Sequence, residues 1–214
     1  IDWADMDKDG PLCAEQMLYA ACFRVMAEIS KQLGKDGNVY RQEYEKLTAA
    51  IEKFFWDEEK GAYIDSFTSG KRNVTRHANI FAILFDIADK QKQEKILTNV
   101  LENDEIPAIT TPYFNFFELD VLCQMGKLTE VLDKIRSYWG GMLDLGAVTF
   151  WEEYDPSVPK EEQYDMYGDH FGKSLCHAWA ASPIYFLAKY FAGLDLVNKD
   201  GVTYVLKPQM QYFT

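Results

Sequence analysis

The chain has 214 residues, 48% of them hydrophobic and 26% charged, enough for a sizeable core and too apolar for a disordered chain. Its formal net charge of −12 excludes a nucleic-acid-binding face, which needs clustered Lys and Arg, and it opposes docking on an anionic membrane; a neutral ligand fits it better. Aromatic residues make up 15%, which suits a large core and also a cleft that stacks on flat apolar ring faces.

Pro11–Leu33 reads as a long helix, with proline in its first turn and Gly34 at its end. Leu18, Ala21, Cys22, Val25, Met26 and Ile29 recur at spacings of three and four and form its predicted core stripe. A Lys-Asp-Gly turn leads to a second helix over Asn38–Trp56, with Tyr40, Tyr44, Leu47, Ile51 and Phe54/Phe55 on one side. Ala62–Ser66 reads as a short extended piece. The third helix, Thr75–Ala88, is apolar nearly all round, and the fourth, Asp89–Leu101, is amphipathic. Pro112–Met125 is the fifth, closed by Gly126, and Leu128–Trp139 the sixth. An irregular stretch precedes the seventh, Ser174–Phe191, closed by Gly193.

Helices three, five and seven have the all-round apolar character of an inner layer, and helices four and six the one-sided charge of an outer layer. Inner and outer helices joined by short turns, with no fixed repeat period, predict an all-α fold: helical hairpins forming about half of an (α/α)6 barrel. From Asn198 the tail alternates β-branched or aromatic residues with polar ones after a Lys-Asp-Gly turn, and predicts a short β tail. The expected organisation is a partial helical-hairpin domain over residues 1–194 and the start of a C-terminal β-domain over 195–214. One strand or two cannot stand alone, and the chain opens Ile-Asp-Trp without an initiator methionine, so both ends are expected to be cut from a longer chain.

No apolar run approaches the roughly 20 residues that span a bilayer, and no signal peptide is legible. The four cysteines, Cys13, Cys22, Cys123 and Cys176, are scattered and are expected to be small buried hydrophobes. His77, His170 and His177 show no ligand spacing, and no phosphate loop or nucleophile elbow is present, so no metal or cofactor is expected.

Chemistry-bearing residues collect where apolar helices begin. Asp2 and Trp3 precede a polar turn, His77 sits in the first turn of helix three, and Tyr113 opens helix five with a hydroxyl able to reach a ligand. His177 and Trp179 open helix seven, with Ser174 as its expected N-cap. The stretch GAVTFWEEYDP follows Gly140 and Gly141, which are expected to turn the backbone, as is Gly146. Trp151 beside two glutamates suits chemistry, because an aromatic ring excludes water and a carboxylate can take a proton from it. An extended backbone puts Trp151 and Glu153 on one face and Glu152 on the other with Phe150, which leaves the choice between the two carboxylates open.

These blocks together resemble the C-terminal part of the six-hairpin catalytic domain of the bacterial α-L-rhamnosidases, glycoside hydrolase family 78. The resemblance rests on Asp2-Trp3, Arg76-His77-Ala78-Asn79, Thr111-Pro112-Tyr113-Phe114, the run from Met142 through Gly146-Ala147-Val148-Thr149-Phe150-Trp151-Glu152, Ser174-Leu175-Cys176-His177-Ala178-Trp179, and Pro183. It implies an inverting hydrolase of terminal α-L-rhamnosides, with Glu152 as general base and His177 in support. Asp2, Trp3, His77, Tyr113, Trp151 and Trp179 are then substrate-binding residues. Val148 departs from the threonine or serine that many relatives carry. The resemblance places the general acid upstream of Asp2, so this chain alone is expected to be inactive. Relatives occur in the bacterial cytoplasm and outside the inner membrane, which leaves the compartment open. The competing expectations are another six-hairpin glycosidase or lyase acting on a different sugar, and a non-enzymatic α-helical interaction module. An incomplete barrel is also expected to self-associate through its exposed face.

Overall fold

The computed structural model describes residues 2–197 and 203–212. The chain divides into two compact units, residues 1–109 and 110–214. The first is built on α1 (Cys13–Gln32), α2 (Asn38–Phe55), α3 (Arg76–Leu84) and α4 (Lys90–Ile96), with β1 (Trp56–Asp57) paired antiparallel to β2 (Ala62–Tyr63). The second is built on α5 (Pro112–Gln124), α6 (Leu128–Asp144) and α7 (Ser182–Phe186), with β3 (Leu194–Leu196) paired antiparallel to β4 (Tyr204–Leu206). The fold is therefore mostly helical, as the apolar periodicity predicts. Among the described residues no helix is long and apolar enough to cross a membrane.

In the first unit α1 and α2 form a hairpin, and α3 is the central element, with every residue from Arg76 to Ile83 buried. Its polar residues explain how a buried helix start is tolerated. Asn79 is fully buried and clasps β2: its Oδ1 accepts from Tyr63 N–H at 2.9 Å, and its Nδ2 donates to Tyr63 C=O at 2.9 Å. One side chain thus satisfies both backbone groups of a strand residue, which would otherwise be buried unpaired. Asp65 does similar work just before α3, accepting from Thr75 N–H and Oγ1, Asn73 Nδ2 and Asp7 N–H. Arg24 ties α1 to the end of α3 by donating to Phe85 C=O at 2.7 Å. Tyr63 donates to Glu52 Oε2 at 2.9 Å, and Lys92 also pairs with Glu52, joining α2, β2 and α4. At the β1–β2 hairpin the Arg72 guanidinium grips Asp57 at 2.5 and 2.7 Å and holds its carboxyl below the usual carboxylate range.

The predicted core stripe of α1 is a point of correction. Its buried positions are Cys13, Ala14, Met17, Ala20, Ala21 and Ser30, whereas Leu18, Val25, Met26 and Ile29 are each more than 40% exposed. The small residues face the packed side because they allow α2 and α3 to approach closely. Cys22 and Cys176 are also exposed, so only Cys13 and Cys123 match the expectation of buried thiols.

In the second unit α5 begins as its sequence predicts: Thr111 Oγ1 accepts from Phe114 N–H and Pro112 occupies the first turn. Glu118, buried on α5, pairs with Lys134 of α6 at 2.6 Å and bridges the two helices. α6 runs past Trp139 to Asp144, so Gly140 and Gly141 are helical rather than turn residues. A Cβ on Gly141 would collide with the ring of Tyr154, so glycine there admits the following loop against the helix. Gly146, with φ +90°, does turn the chain. The predicted seventh helix is shorter than its apolar spacing suggests: residues 174–177 are irregular, Ala178–Ala180 forms one 3-10 turn, and α7 starts at Ser182 with Pro183 in its first turn. The backbone of 174–177 is held by other contacts, described next, and cannot join the helix.

Candidate active site

Two loop segments of the second unit run side by side in opposite directions. Glu152 N–H donates to Ser174 C=O at 2.9 Å, and His177 N–H donates to Phe150 C=O at 2.8 Å. Thr149 Oγ1 donates to Leu175 C=O. This pairing is why Ser174 does not cap a helix and why His177 lies before the 3-10 turn rather than inside a helix.

The carboxylate of Glu152 sits at the centre, 6% exposed. Oε2 accepts from Ser174 N–H at 3.0 Å, and Oε1 accepts from Tyr167 O–H at 3.0 Å. His177 Nδ1 stands 3.9 Å from Oε2, beyond a hydrogen bond. The His177 ring lies 4.5 Å from Trp179, and Trp179 stacks on Tyr113 at 5.1 Å and 29°. Tyr113 and Trp179 are 37% and 39% exposed, so this stacked pair presents a part-open apolar shelf next to His177. Trp151 is 3% exposed and packs on Tyr164, so its ring backs the loop and is not accessible to a ligand. Glu153 points to a different partner, Lys173 Nζ at 3.6 Å, with Lys173 itself nearly buried. Of the two adjacent glutamates, Glu152 is the one with both oxygens held.

In the first unit, Asp2 and His77 meet: Nε2 of His77 lies 2.8 Å from Asp2 Oδ2, with both side chains almost fully buried. A carboxylate there fixes the proton on Nε2. His77 Nδ1 is 3.3 Å from Thr75 Oγ1, and the Thr75 hydroxyl donates to Asp65 at 2.7 Å. Trp3, whose backbone N–H donates to Asp2 Oδ1 at 2.9 Å, is 45% exposed. Sequence reasoning singled out each of these residues but missed Tyr167 and Lys173. Gly168 marks a turn, yet nothing in its spacing points Tyr167 at Glu152.

Helical hairpins whose connecting loops hold a buried carboxylate beside a part-open stack of aromatic rings provide both the polar and the apolar contacts of a ligand site. More specifically, the chain belongs to the bacterial alpha-L-rhamnosidase six-hairpin glycosidase domain family, whose model matches residues 1–191. It is similar in structure to a rhamnosidase from Klebsiella oxytoca solved with rhamnose bound (TM-score 0.71, 29% identity, 83% of this chain and 34% of that one). It is similar to a GH78 family rhamnosidase of Bacillus sp. GL1 (TM-score 0.83, 25% identity, 98% of this chain and 22% of that one). An alpha-L-rhamnosidase of Streptomyces avermitilis complexed with L-rhamnose shares the fold (TM-score 0.69, 18% identity, 97% of this chain and 20% of that one). The chain thus spans between a fifth and about a third of the length of these solved relatives. No curated protein matches it at the level required for a relative.

Proposed function

We propose that this chain contributes the general-base half of an inverting glycoside hydrolase that removes terminal α-L-rhamnose from glycosides or polysaccharides. The observation that carries the proposal is the Glu152 carboxylate, buried yet held by one donor on each oxygen, in a loop of a rhamnosidase-family domain. A carboxylate so fixed keeps a lone pair directed at a water, which is the requirement for deprotonating the nucleophile on the face opposite the leaving group. His177, 3.9 Å away, lies beside the base and lines the same site. The part-exposed stacked rings of Tyr113 and Trp179 suit the apolar face and C5 methyl of rhamnose. In the first unit Asp2, itself buried against His77, holds the backbone of the part-exposed Trp3. Trp151 serves by excluding water behind the base. No residue of this chain is assigned as the proton donor to the leaving oxygen, so the 214 residues alone are expected not to turn over.

The test is hydrolysis of p-nitrophenyl α-L-rhamnoside by the full-length protein and its Glu152→Gln variant. Glutamine keeps the shape and removes the base, and kcat is expected to fall roughly a hundredfold or more. Proton NMR of the first-formed sugar should show the β anomer, the signature of inversion. An equally active variant removes Glu152 from the role. Activity on a different glycoside only would keep the mechanism and discard the sugar.

A further inference from the structure

We propose that Tyr167 is a positioning residue that sets the orientation of the Glu152 carboxylate through its phenol hydroxyl. The inference rests on the assignment of Glu152 as the base. Tyr167 lies at the tip of a small hairpin in which Met166 and Asp169 exchange both backbone hydrogen bonds at 3.0 Å, and Lys173 N–H closes the base on Tyr164 C=O at 3.1 Å. Tyr167 and Gly168 have φ of +56° and +81°, the two successive positive values of a tight hairpin turn. Glycine or asparagine is the residue that geometry favours at the first position, and a tyrosine there is held in a conformation that non-glycine residues seldom adopt.

Burial of the ring does not account for the choice, because Tyr167 is 72% exposed. The hydroxyl is the part that turns inward, and it meets Glu152 Oε1 at 3.0 Å. Ser174 N–H meets the other oxygen at 3.0 Å. Two donors on two different oxygens fix both the position and the plane of a carboxylate, which a single hydrogen bond cannot do. The donor is neutral, so it orients the base without offering it a full counter-charge. Partial desolvation of the hydroxyl and its bond to Glu152 push the phenol above its ordinary range, with Glu153 adding to this, so it remains a donor throughout neutral pH. The titratable and charged groups around the carboxylate include Tyr167, His177, Glu153 and the Lys173 that pairs with Glu153. Backbone held in a sparsely populated conformation while its side chain makes a polar contact is a pattern of functional sites.

The experiment compares full-length wild type, Tyr167→Phe, Tyr167→Gly and Glu152→Gln on p-nitrophenyl α-L-rhamnoside, with Tm recorded for each. Tyr167→Phe is expected to lower kcat roughly tenfold or more with KM within about twofold. The acid limb of its kcat/KM profile should move to higher pH, because a carboxylate deprived of a donor takes up a proton more readily. Tyr167→Gly relaxes the turn, so it should match or exceed the wild-type Tm while losing as much activity as the phenylalanine variant. The inference is overturned if Tyr167→Phe keeps the wild-type kcat and pH profile. It is also overturned if the acid limb stays put and Tyr167→Gly restores activity, since the hairpin's shape would then suffice. An inactive Glu152→Gln beside an unaffected Tyr167→Phe would discard this inference alone; an active Glu152→Gln would discard the base with it.

Discussion

Two neighbouring glutamates illustrate how much a single residue's environment decides. Glu152 and Glu153 are equal in sequence, and side-chain alternation leaves the choice open. Only the ladder between 150–152 and 174–177 gives Glu152 its backbone donor, while Glu153 turns to Lys173. That ladder joins residues more than twenty positions apart, and local patterns carry no information about such contacts. The cysteines make the same point. Helical spacing places Cys22 in an apolar stripe, yet the structure exposes it along with Cys176. Cys123 is pushed up to about 12, chiefly by burial and then by Asp120, and burial also raises Cys13 well above its ordinary range. A thiol reagent acts on the thiolate. Native-state labelling at pH 8, read by peptide mass spectrometry, should therefore modify Cys22 and Cys176 and spare Cys13 and Cys123 until denaturant is added.

At the level of elements, boundaries marked by capping chemistry were legible. Thr111-Pro112 opens α5, and Asp89 caps α4 by accepting from Lys92 N–H at 2.9 Å. Boundaries set by distant contacts were not. α6 passes through two glycines because its apolar face, Val131, Ile135, Tyr138, Trp139 and Met142, stays buried across them, which outweighs a propensity cost of about 1 kcal/mol per glycine. α7 loses its expected first two turns to the ladder and begins at Ser182-Pro183. The Arg76-to-Asn79 block is the reverse case, in which a legible motif acquires a physical reason. Its arginine donates to Ile106 C=O at 3.3 Å, its histidine meets Asp2, and its asparagine clasps Tyr63. Asn79→Ala leaves a buried N–H and C=O of Tyr63 without that partner and is expected to cost about 3 kcal/mol. Urea denaturation followed by circular dichroism measures it. A loss under about 1 kcal/mol would mean that water or a shifted strand replaces the clasp.

For the whole chain, the helical class and the hairpin order follow from apolar periodicity, but what covers each apolar face does not. Periodicity marks Leu18, Val25, Met26 and Ile29 as a face that wants burial; in these 214 residues they remain more than 40% exposed. The isolated chain is accordingly expected to associate with rising concentration despite a net charge of −12. Sedimentation velocity across a dilution series should detect this, and the double variant Val25→Lys, Met26→Lys should suppress it without lowering Tm. An unchanged monomer at all concentrations would discard the expectation. The pairing beside Glu152 has a mechanical consequence as well. Because both of its rails are anchored by main-chain bonds, the excursion from 153 to 173 is a loop tied at its two ends, and those ends cannot part without also pulling Ser174 N–H away from the Glu152 carboxylate.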